Sequence, residues 1–207
     1  MESFLRLTGE KQNIIIDAAL KAFGTNGYKK TSISDISTTA EISKAMIFHY
    51  FGTKKALYIY LMELCGNMLM NEFDEKFDNR VTDFFGRILS ATNIKISVMK
   101  KHPEILSFLT SMYVENDKEV KEEIKANLKK GEVFRSKVTV DSIDYSKFKD
   151  GIDRVFIMKI FGWLTEGYLS QLSSKFDIDS EALYNEFNEF NKCIELFKSN
   201  FYKEEYL

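Results

Sequence analysis

With one proline, ten glycines and two cysteines in 207 residues, the sequence is poor in the residues that several classes of protein require. Sandwiches and barrels draw on Gly and Pro for frequent turns, which argues against an all-β chain. Cys65 and Cys193 lie far apart and form neither a zinc spacing nor a redox pair, which suits small buried thiols in a reducing compartment. There are only two histidines, no glycine-rich phosphate loop and no nucleophile elbow. No catalytic residue, metal or cofactor is therefore expected, and an enzyme is disfavoured. No apolar run approaches the roughly 20 residues that cross a bilayer. Met1 to Leu7 lack the basic and apolar portions of a secretory signal, so a cytoplasmic protein without a membrane partner is expected.

What is present suits a globular helical chain, with 44% hydrophobic and 29% charged residues. The net charge of -2 is unevenly spread: residues 1–55 hold eight Lys/Arg against five Asp/Glu, within a chain of 29 against 31. A mildly basic head on an acidic body suits a protein that presents one end to DNA.

The pattern predicts helix after helix. A first helix runs from about Glu10 to Thr25, with Ile15, Ala19 and Phe23 on one face, and ends near Gly27. Ser32 and Asp35 make a capping box for a short helix that turns Ile33, Ile36 and Ala40 inward. Ser43 caps a second short helix to about Tyr50, and Thr53 caps a long one toward Met70. Two short helices locked by Ile36, Ala40, Ile42 and Ile47 predict a helix-turn-helix, whose second helix offers Lys44, Ala45, Met46 and His49 to a major groove. Lys54 and Lys55 stand in the first turn of the next helix, where the helix dipole disfavours cations. A DNA phosphate at that terminus would meet both free amides and the two lysines.

From Lys11 to Tyr60 this pattern resembles the tetracycline-repressor (TetR) family. The resemblance rests on an alanine-rich first helix ending in Phe23-x-x-x-Gly27, then Thr31-Ser32, Ile36, Ala40-x-Ile42-Ser43, and His49-Tyr50-Phe51-x-x-Lys54-Lys55-x-Leu57. It implies Ser32, Lys44, Met46, His49, Tyr50, Lys54 and Lys55 at DNA, with Ser43 capping the recognition helix. It also implies an all-α C-terminal domain that binds a small ligand and dimerises through its last two helices. Two positions depart from the family: Glu41 replaces the usual turn glycine, and Phe48 replaces a phosphate-binding tyrosine. The fold class expected is all-α, with a helix-turn-helix domain over residues 1–55 and a helical regulatory domain over 56–207.

Beyond the head, helices are expected from Val81 to Lys101, from Pro103, and over Asn116 to Lys130, where Asp117–Lys121 and Glu122–Lys125 pair on the wet side. Ser136 to Lys149 is expected to be a loop. From Ile152 to Leu172 apolar residues fall nearly all round, so Phe156 and Ile160 need a cover. Leu183, Phe187, Phe190, Ile194, Phe197 and Phe201 follow spacings of 4, 3, 4, 3 and 4, a seam that needs a helix along its length. Either the chain's own core or a second subunit supplies it; the homodimer expected here assigns Phe156, Ile160 and the seam to the interface. A small apolar or aromatic ligand is expected among Phe85, Leu89, Thr92, Ile96, Met99, Leu109, Met112, Tyr113, Phe161, Trp163 and Tyr168, although side chains of these types at helical spacing also build plain cores. The expected function is a ligand-responsive repressor of a palindromic DNA operator. The alternative is a nucleoid-associated or partner-binding protein of the same fold without a ligand.

Overall fold

The computed structural model describes residues 1–140, 142–174 and 180–207, and among them every helix is joined without a strand. Packing divides the chain into two compact units, Met1–Met68 with His102–Leu128, and Leu69–Lys101 with Lys129–Leu207.

The first unit contains α1 (Glu2–Leu5), α2 (Gly9–Lys30), α3 (Ile33–Thr39), α4 (Lys44–Phe51), the start of α5 (Lys54–Lys76), α7 (Pro103–Val114) and the start of α8 (Lys121–Thr139). The predicted face of α2 is its core: Ile15, Ala19 and Phe23 are buried. At Gly27 the backbone turns to φ 70° and ψ 175°, which only glycine adopts without strain, and the helical path breaks there. Helix α7 lies along α2 so closely that a Cβ on Gly24 would stand 2.9 Å from the Phe108 amide nitrogen. Phe23, Tyr58 and Phe108 then close a cluster of rings from α2, α5 and α7, with Tyr58 edge-on to both others at 5.0 and 5.2 Å. Such ring pairs add about 0.5–1.5 kcal/mol each beyond the apolar area they bury.

The second unit contains the rest of α5 and α8, α6 (Phe84–Lys101), α9 (Arg154–Ser174), α10 (Ser180–Phe201) and short 3₁₀ turns at Tyr145–Lys147 and Glu204–Tyr206. Its core packs Phe84, Phe85, Phe148, Ile157, Phe161, Phe190, Ile194 and Tyr202. The C-terminal tail is fastened there: the Lys149 amide donates to Phe201, the Lys203 amide donates to Lys147, and the Tyr202 hydroxyl accepts the Phe84 amide at 3.1 Å.

Two expectations are corrected. Ser136 does not open a loop, because α8 continues to Thr139. Val138 is buried there, and Arg87 from α6 donates to the carbonyls of Lys137 and Val138 that end the helix. The seam on α10 is filled by the chain's own core: Phe187 and Phe190 are 7% exposed and Ile194 is 0% exposed. Phe197 and Phe201 lie partly buried against the same cluster, so these five pack against their own chain. The side chain of Leu183 lies outside the described residues. On α9, Ile157 and Phe161 face inward, while Val155, Phe156 and Trp163 stay 66%, 51% and 60% exposed.

Candidate nucleic-acid interface

The three predicted caps all form. Ser32 Oγ accepts the Asp35 amide at 3.1 Å, Ser43 Oγ accepts the Met46 amide at 3.2 Å, and Thr53 Oγ1 accepts the Ala56 amide at 3.0 Å. Each satisfies one of the amides a helix leaves unpaired at its start, and together they set the entries of α3, α4 and α5. Ile36, Ala40 and Ile47 are buried between the two short helices, and Ile42 is half-buried beside them.

The turn runs through Glu41, whose φ of 53° lies in the left-handed region. A side chain there costs on the order of 1 kcal/mol relative to glycine. Glu41→Gly is expected to stabilise the protein by about 0.5–1 kcal/mol, the strain relief being partly offset by the freer unfolded chain. A rise in the urea midpoint without a change in slope would show this; an unchanged midpoint would mean that the surrounding contacts hold the strain at no cost.

With its back face buried through Ile47, α4 leaves Ser43, Lys44, Ala45, Met46, Phe48 and His49 exposed. The predicted base-reading residues are thus on one open surface. Phe48, which sequence reasoning counted only as a missing tyrosine, shares it at 40% exposure. Ser32 is half-buried. The Tyr50 ring is 6% exposed and lies edge-on to Phe4 at 5.9 Å. Phe4 also packs on Phe51 at 4.8 Å and Tyr60 at 5.7 Å, so α1 wedges the end of α4 against α5. Nothing in the local pattern around Phe4 signalled this, since its partners lie more than forty positions away.

Lys54 and Lys55 are both half-buried and both engaged. The Lys54 ammonium sits 4.4 Å from the centre of the Tyr28 ring. Lys55 Nζ meets Glu123 Oε1 of α8 at 2.6 Å, each side chain 34% exposed. That hydrogen bond holds the Glu123 carboxyl below its ordinary range. Glu115, at the end of α7, accepts the Tyr28 amide at 2.6 Å just past the Gly27 break. The charge pattern over residues 116–130 predicts a solvated face, and the Glu122–Lys125 pair is exposed, at 2.8 Å. The carboxylates that touch the head escaped it.

The residues expected at a ligand are divided. Leu109, Met112 and Tyr113 belong to the first unit and the others to the second. Phe85 and Phe161 are core rings 5.8 Å apart, Thr92, Ile96 and Met99 are buried, and Leu89 and Tyr168 lie half-buried against the core. Tyr113 and Trp163 face outward, at 42% and 60% exposure, which removes them from an enclosed lining.

Two short capped helices, the second open along its outer face, define a helix-turn-helix protein. The model for bacterial regulatory proteins of the tetR family (TetR_N) matches residues 15–61. YuxN of Bacillus subtilis, an uncharacterized HTH-type transcriptional regulator, is 31% identical over 166 residues, 79% of this chain and 50% of that protein. IcaR of Staphylococcus aureus, the negative transcriptional regulator of the biofilm operon icaADBC, is 35% identical over 57 residues, 28% of this chain and 31% of that protein. The chain thus spans about half the length of the first relative and about a third of the second. A TetR family transcriptional regulator from Chloroflexus aurantiacus has the same fold, with a TM-score of 0.73 at 18% identity over 99% of both chains. Residues 15–61 are thus a match to the tetR family of bacterial regulatory proteins, and the whole chain shares the fold of a TetR family regulator.

Proposed function

We propose that this protein is a transcriptional repressor that binds a palindromic double-stranded DNA operator as a homodimer, with residues 1–55 reading DNA and 56–207 serving dimerisation and regulation. The exposed outer face of α4 carries the reading: Lys44, Ala45, Met46 and His49 meet base edges, while Ser32, Ser43, the hydroxyl of Tyr50, Lys54 and Lys55 meet the backbone. IcaR, a negative regulator, matches this chain over 57 residues, which supports repression as the sign. A second copy is favoured by Phe156 and Trp163, edge-to-face at 6.3 Å and both exposed on α9, with half-buried Ile160 and exposed Gly167 along the same face. Exposed aromatic pairs of this kind, beside a glycine that permits close approach, suit an isologous helix contact.

The test is selection of bound duplexes from random DNA, followed by variants. Lys55→Ala is expected to weaken binding to all sequences alike and to lower the salt slope by roughly one. Met46→Ala or Lys44→Ala is expected instead to change which operator is preferred. Identical affinity and salt dependence after Lys55→Ala would remove that lysine from the DNA surface.

For the effector, the reading is a small apolar ligand in the second unit that favours an arrangement unable to bind DNA. The packed rings of Phe84, Phe85, Phe148 and Phe161 favour the other reading, DNA binding without any small molecule. A screen of apolar compounds for operator release separates the two.

A further inference from the structure

Helix α5 begins with two lysines at the end of a helix where positive charge is disfavoured, so their partners bear directly on function. In the free protein the partner of Lys55 is a protein carboxylate. Glu123 Oε1 lies 2.6 Å from Lys55 Nζ, a distance at which the ammonium donates a full charge-assisted hydrogen bond. The carboxylate is not on a loose arm. It sits one turn into α8, between Val120 and Ile124, which are buried at 0% and 4% exposure. The segment before it is also fixed to the head. Glu115 Oε2 accepts the Tyr28 amide at 2.6 Å, and Glu115 Oε1 accepts the amides of Asn116 and Asp117 at 2.9 Å each. Thus the turn from α7 to α8 clasps the kinked end of α2 at one point and the first turn of α5 at another, both through carboxylates.

We propose that Glu123 is an internal decoy for the DNA phosphate: it occupies Lys55 in the free protein and must release it before that lysine can engage the operator backbone. The inference rests on Lys55 being a phosphate contact, as assigned above. Both groups are one-third exposed, so the pair is neither so wet as to be negligible nor so buried as to be permanent. A phosphate arriving at Lys55 meets a cost in this protein: the ammonium has to leave a carboxylate already in contact. That cost opposes binding, so Glu123 lowers operator affinity. Because Glu123 is carried in the first turn of α8, a displacement of that turn moves the decoy with it and sets how available Lys55 is.

The experiment is a double-mutant cycle on operator affinity at fixed salt, with wild type, Glu123→Gln, Lys55→Ala and the double variant, each checked for its melting transition. Gln keeps the size of the side chain and removes the charge. Glu122→Gln serves as the control, since Glu122 is 76% exposed, pairs with Lys125 and changes the net charge equally. Glu123→Gln is expected to tighten binding about three- to tenfold, several times more than Glu122→Gln, and the gain is expected to vanish in the Lys55→Ala background. Equal gains from the two glutamines, or a gain that persists without Lys55, would reduce the effect to net charge and overturn the decoy. Wild-type or weaker affinity in Glu123→Gln, with Lys55→Ala still weakening binding, would overturn the decoy while leaving Lys55 at the phosphate. No effect from either substitution would remove Lys55 from DNA and the decoy with it.

Discussion

Trp163→Glu is expected to yield a folded protein that sediments as a monomer and binds its operator roughly 10²- to 10⁴-fold more weakly, the factor by which two linked half-site contacts exceed one. Trp163 is 60% exposed and packs edge-to-face on Phe156, itself 51% exposed, so a carboxylate there meets water in the monomer and a second apolar face in the proposed dimer. Phe190→Glu makes the contrast. Phe190 is 7% exposed and lies against Tyr168 at 5.1 Å within the core of the second unit, where a charge has no partner. An unpaired buried charge costs several kcal/mol, so that variant is expected to lose its structure along with its dimer. Circular dichroism with sedimentation at micromolar concentration distinguishes the two outcomes. A Trp163→Glu protein that remains dimeric would place the interface elsewhere on the chain.

Arg87→Met is expected to destabilise the protein by about 3–5 kcal/mol, because it leaves several buried carbonyls without their donors. Arg87 is 2% exposed. Its Nε donates to the Val138 carbonyl at 2.8 Å, one terminal nitrogen to Lys137 at 2.9 Å and the other to Val81 at 2.8 Å. Its guanidinium also lies 4.7 Å from the centre of the Phe77 ring. Methionine fills much of the space but donates to none of these carbonyls, and buried acceptors left without donors cost about 1–3 kcal/mol each. Lysine is expected to recover only part of the loss, because a single ammonium cannot reproduce the planar fork that spans two consecutive carbonyls and a second stretch of chain. Urea unfolding measures both variants, and a wild-type midpoint for Arg87→Met would show that the end of α8 does not depend on this cap.

The helical class, the positions of the caps and the orientation of α2 to α4 were legible because each depends on residues within one or two turns. Ser32 with Asp35, Ser43 with Met46 and Thr53 with Ala56 are contacts at a separation of three, and they occur where the pattern places them. The turn at Glu41 was marked only through the family resemblance, as the place of the usual glycine, and the structure gives it a φ of 53°. The α10 heptad was legible as a seam but not as to its partner, since an apolar stripe is equally satisfied by α6 and α9 of its own chain or by another copy.

By itself, then, the sequence determined an all-helical chain with a TetR-type helix-turn-helix, because helix starts, apolar periodicity and turn chemistry act over a few residues and leave local marks. Only the tertiary structure decided that the α10 seam is core, that Arg87 extends α8, that Phe4 braces the recognition helix and that Lys55 rests on Glu123. Those contacts join residues tens of positions apart, and an arginine, a phenylalanine or a glutamate carries no sign in its own neighbourhood of which distant group the folded chain will bring within 3 to 6 Å.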